Sequence, residues 1–190
     1  MKKRIFSSCL VFMVLIFLAV SAAGQGLFVY EKQKVTHPGM EAAPLEAYAL
    51  IQQDPAHMII VDVRTRPEYQ FVGHPPTAFL MPLLFWSAEF KNNEYQLVDN
   101  PNFGKDIMSR FDPKTDTLFF LCRSGHRASV ALNNAVAAGW PAGKAYVILG
   151  GFEGEKMKDK NSAFAGHRIG GGWRNEGLPW TYAMDQKLVY

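Results

Sequence analysis

The sequence predicts a single α/β domain built as an open parallel sheet flanked by helices. Three short continuous apolar runs (58–61, 117–121 and 145–149) have the length and composition of strands buried on both faces. Between them lie stretches with apolar residues at helical spacing. Strands that alternate with helices imply right-handed crossovers and a parallel sheet.

Taken in order, residues 44–51 are expected to form the first helix, stopped by Asp54-Pro55. The run Met58-Ile59-Ile60-Val61 follows as a buried strand, ended by Asp62. A weaker strand is expected over 77–81, stopped by Pro82, and a helix over 101–111. The strand 117–121 leads into Cys122, a second helix pattern runs from Ala128 to Ala138, and the strand 145–149 is turned by Gly150-Gly151. Ligands of such sheets bind at the carboxyl ends of the strands, where Asp62 and Cys122 fall.

The first 23 residues read differently. Lys2, Lys3 and Arg4 precede an apolar run over 5–20, closed by Ser21-Ala22-Ala23. This is the basic, apolar and small-residue order of a secretory signal peptide, with cleavage expected after Ala22 or Ala23. The alternative is an uncleaved anchor facing the periplasm, for which the segment is barely long enough. Three of the 20 Lys and Arg lie in this leader and none of the 17 Asp and Glu does, so the rest of the chain is balanced in charge. Nothing overall points to a nucleic-acid partner. The remaining length suits one domain with a sizeable core.

Cys9 lies within the leader, which leaves Cys122 as the one thiol of an exported chain. An unpaired thiol in an oxidising compartment is open to oxidation, so its retention points to use. It opens Cys122-Arg123-Ser124-Gly125-His126-Arg127, a strand-to-helix loop. Such a loop aims backbone N–H groups and the positive end of a helix dipole at the sulfur, which favours a thiolate or an anionic adduct. Gly125 supplies backbone freedom, and Arg123, His126 and Arg127 add positive potential. Arg127 suits two roles equally, a substrate ligand or a clamp on loop carbonyls or on a carboxylate such as Asp62. Asp62, Arg64 and Glu68 are expected to hold the strand end as an ion-pair and hydrogen-bond group. His37, His57, His74, His126 and His167 show no ligand spacing, so neither a metal nor another cofactor is expected. Gly170-Gly171-Gly172 follows no strand pattern and reads as a flexible turn.

Asp62-Val63-Arg64 with Glu68-Tyr69, then Gly73-His74-Pro75, the Cys122–Arg127 loop, and Gly150-Gly151-Phe152 with Gly177-Leu178-Pro179 resemble, in order, the signatures of single-domain rhodaneses. The resemblance covers most of 40–182; with the leader at 1–23 it implies an extension at 24–39, a rhodanese-like domain at 40–182 and a tail at 183–190. It implies a thiosulfate sulfurtransferase: Cys122 takes sulfur from a donor such as thiosulfate and passes it to cyanide, a thiol or a sulfur-accepting protein. Arg123, Ser124, Gly125, His126 and Arg127 would bind substrate. The loop is one residue shorter than that of the related Cys-dependent phosphatases and arsenate reductases, which remain a lesser alternative. A non-catalytic sulfur carrier or binding module is another. Two departures stand out: the long stretch 79–117 with Phe85, Trp86, Phe90 and Tyr95 in its middle, and the insertion 155–172. Both fall where they would reshape the mouth of the site.

Overall fold

The structure, a computed structural model, describes residues 28–30 and 35–190. The expected leader lies outside them, as does part of the 24–39 extension. Five parallel strands form the central sheet in the order β1-β7-β6-β2-β3. They are β1 (Met40–Ala42), β2 (Met58–Asp62), β3 (Phe79–Leu80), β6 (Thr117–Leu121) and β7 (Ala145–Ile148). The three continuous apolar runs are its centre. Along β6, Leu118 and Phe120 face one side while Phe119 and Leu121 face the other, and all four are fully buried. An apolar run without alternation is what burial on both faces demands.

Helices cover each face. α1 (Pro44–Gln53) has proline at its first position, where the missing N–H costs nothing, and it buries Ala47 and Ile51 against Ile60, Leu80 and Phe119. On the opposite face α2 (Phe103–Arg110) and α3 (His126–Ala137) pack Phe103, Ile107, Leu132 and Ala135 against Val61, Phe120 and Val147. Among the described residues, no helix is long and apolar enough to cross a membrane.

Each of the two departures contains a two-stranded antiparallel ribbon. β4 (Leu84–Lys91) and β5 (Glu94–Asp99) form a hairpin turned at Asn92-Asn93, whose φ values of 55° and 62° suit a two-residue hairpin turn. β8 (Glu155–Lys156) pairs with β9 (Arg168–Gly170). The last residues pack back on the sheet edge, where the Leu80 N–H donates to the Leu188 carbonyl (2.7 Å) and Arg110 donates to the carbonyls of Lys187 and Val189.

Candidate active site

β2 and β6 are neighbours in register, Asp62 opposite Leu121, so Asp62 and Cys122 emerge at the same sheet edge. Cys122 is 1% exposed and unpaired. The turn that follows it closes on itself: the Gly125 N–H donates to Cys122 Sγ at 3.1 Å. Gly125 has φ 107°, a conformation that side-chain-bearing residues rarely adopt. α3 starts at His126 rather than at Ala128, so His126 and Arg127 occupy its first turn. The helix's positive end therefore sits beside the sulfur.

A second turn grips the loop from outside. The N–H groups of Phe152 and Glu153, just past β7, donate to the Cys122 and Arg123 carbonyls at 2.8 and 2.9 Å. Gly151 makes this approach possible, because a Cβ there would lie 2.4 Å from the Cys122 carbonyl oxygen. Its φ of +56° also disfavours a side chain.

Both loop arginines are engaged by carboxylates. Arg127 donates twice to Glu68, Nη1 to Oε2 at 2.8 Å and Nη2 to Oε1 at 2.5 Å. Glu68 begins a π-helical turn (Glu68–Val72) and also accepts from the Thr65 N–H and hydroxyl. Burial alone would push the Glu68 carboxyl up, but the Arg127 fork and Thr65 hold it down at about 2. Burial opposes the charge on Arg127, and Glu68 outweighs it, so the guanidinium stays ionised. Arg123, half exposed, donates from Nε to Glu153 at 3.0 Å.

The expected group at the end of β2 is divided. Asp62 and Arg64, both fully buried, pair with each other (Nη2 to Oδ2, 2.6 Å), and Arg64 also donates to the Gly73 carbonyl and stacks 4.4 Å above the Phe152 ring. Glu68 belongs with Arg127 instead: of the two roles expected for Arg127 its contacts are those of a clamp on a carboxylate, and the carboxylate is Glu68 rather than Asp62. Ser124 and His126 form no ion pair among the described residues and border an open cleft. His74 is buried with its ring nitrogens against the Tyr69 and Ala183 carbonyls.

Glu153, Thr65 and the close approach of Gly151 carry no sequence signal of their own. Gly170-Gly171-Gly172 is not an open turn. A Cβ on Gly171 would lie 2.5 Å from the Tyr30 hydroxyl and 2.6 Å from the Phe28 ring, so the missing side chains make a seat for two aromatic residues.

The rhodanese-like domain model matches residues 43–158, more than half the chain. The chain belongs to the rhodanese-like family. This is a family of sulfurtransferase type. An uncharacterized protein of Rickettsia rickettsii is 36% identical over 134 residues, covering 70% of this chain and 89% of that protein. Another, from Rickettsia prowazekii strain Madrid E, is 34% identical over 124 residues, covering 65% and 82%. The crystal structure of Rv0390 from M. tuberculosis is similar with a TM-score of 0.60 and 29% identity, over 78% of this rhodanese-like chain and 100% of that one.

Proposed function

We propose that the protein is a sulfurtransferase that carries sulfane sulfur on Cys122, taking it from a donor such as thiosulfate and giving it to a thiophilic acceptor. The observation that carries this reading is the Gly125 N–H directed at Cys122 Sγ at 3.1 Å, at the N-terminus of a 12-residue helix. That arrangement offers a hydrogen-bond donor and a helix N-terminus to negative charge carried on the sulfur's adduct. The Cys122 thiolate attacks the outer sulfur of thiosulfate, the donor's S–S bond breaks, and sulfite leaves with the electron pair. An anionic persulfide remains, and the Gly125 N–H that already donates to Sγ would help to solvate it. Arg127 acts here as a positioning residue through Glu68, and Arg123 adds charge at the mouth. A Cys-dependent phosphatase or arsenate reductase has less support, because Arg127 is already committed to Glu68.

The basic, apolar and small-residue order of residues 2–23 supports work outside the cytoplasm, with a soluble product after cleavage. Recovery only in membranes with the leader attached would replace that reading with an anchor. Intact mass after thiosulfate treatment tests the chemistry. One added sulfur atom, removed by cyanide, is expected, and an unchanged mass would reject the relay.

A further inference from the structure

A cleft of about 660 Å³ opens beside the loop, with Ser124 and His126 forming its border on that side. The volume falls within the range of about 300–1,000 Å³ typical of sites for organic ligands and is far more than thiosulfate or cyanide requires. Two parts that the core does not need build the rest of it. One is the β8–β9 ribbon, which contributes Met157 and Ile169.

The other is the strap Phe28-Val29-Tyr30, held in place by the glycine seat. The Tyr30 hydroxyl accepts from the Gly172 N–H at 2.7 Å and donates to Glu176. Burial and Glu176 both push the Tyr30 phenol up, so it remains a donor. A Cβ on Gly150 would lie 2.5 Å from the Tyr30 ring, and one on Gly170 would lie 3.0 Å from Phe28. The backbone has left room for these rings, and the rings wall the cleft.

Its charges cancel. Lys156 and Lys158 are matched in the lining by Glu155 and Asp159, beside the apolar Phe28, Val29, Met157 and Ile169. A dianion would be drawn to a net positive site, whereas a balanced rim with an apolar interior suits an uncharged or zwitterionic organic body.

We propose that this cleft binds the sulfur acceptor, and that the acceptor is a small organic thiol with an apolar body. The proposal rests on the sulfur relay through Cys122. The thiol loses its proton to solvent and its thiolate attacks the outer sulfur of the Cys122 persulfide. A new S–S bond forms on the acceptor, the bond to Sγ breaks, and its electron pair returns to Sγ, where the Gly125 N–H receives it. No external oxidant or reductant is needed.

The test separates the two half-reactions. Protein is loaded with thiosulfate or inorganic polysulfide and then mixed with 2-phenylethanethiol or with cyanide, and loss of the persulfide is followed by mass. Ile169 is 42% exposed, so replacing it leaves the core intact. Ile169→Trp and Ile169→Asp should each lower the ratio of thiol to cyanide discharge at least tenfold, whereas Phe90→Ser, on a hairpin that contributes no residue to the cleft lining, should leave the ratio unchanged. The unreactive 2-phenylethyl methyl sulfide should bind the wild type and bind both Ile169 variants at least tenfold more weakly. An unaltered ratio in loaded Ile169 variants, or undiminished sulfide binding, overturns the cleft assignment alone. Failure of wild-type Cys122 to take up any sulfur overturns the relay, and the acceptor role with it.

Discussion

On the inner flank of the sulfur loop Arg127 meets Glu68 through two hydrogen bonds, with both side chains less than one-fifth exposed. On the outer flank Arg123 meets Glu153 through one, and the arginine side chain is 48% exposed. The residue types are the same and the loop is the same, yet the two pairs do different physical work. A largely buried, bidentate pair fixes geometry, because removing either partner strands a charge away from water. A half-exposed, single-contact pair contributes little to stability and acts through the field it presents to approaching ions.

The comparison presumes that both flanks serve one sulfur, so the largest effect belongs to Cys122 itself. Cys122→Ser should abolish sulfur loading and turnover while leaving the thermal melt close to that of the wild type, since oxygen fills nearly the same space. Full thiocyanate formation by this variant would dissolve the comparison. The inner flank comes next. Arg127→Ala should lower stability by on the order of 2 kcal/mol, through the stranded Glu68 carboxylate, and should reduce turnover at least tenfold. Denaturant titration beside steady-state kinetics checks both, and a stable variant with only a raised KM would make Arg127 a substrate ligand.

Acid sharpens the same contrast. Glu68 is held at about 2, against about 4.5 for an ordinary glutamate, so its contribution to stability is fully present above about 4.5 and is lost as pH falls toward 2. Stability measured across that window should decline in the wild type and decline less in Glu68→Gln. Equal slopes would show that the pair does not carry this linkage. The smallest effect belongs to the outer flank. Arg123→Ala should change stability by less than about 0.5 kcal/mol, while raising the KM for thiosulfate several-fold at low salt and only slightly at high salt. Adding Glu153→Ala should recover part of the KM, because the lone carboxylate no longer repels the donor.

The difference between the flanks also marks what the sequence discloses. β2, β6 and β7 are legible because burial on both faces leaves unbroken apolar runs, and Cys122 is legible because it follows one of them. The β4–β5 hairpin escapes the same reading because its register shifts between Trp86 and Phe90, which spoils the alternation on which a strand is recognised. Its Asn92-Asn93 turn was a usable signal. Partner choice is less accessible. Arg127 finds Glu68 across 59 residues and Arg123 finds Glu153 across 30, and only the sheet order brings each pair together. The seat for Phe28 and Tyr30 was hidden because glycines that receive a distant ring look, in one dimension, like glycines that merely turn.

That seat has a kinetic consequence. Tyr30 bonds to partners 142 and 146 residues away, whereas the cysteine loop closes over three. Closing so long a loop carries a large entropy cost before its contacts return anything, so the strap should dock last as the domain folds and lift first as it breathes. Amide exchange at residues 28–30 should outpace exchange along β6 by orders of magnitude under native conditions. Protection equal to that of β6 would show the strap to be part of the folding core.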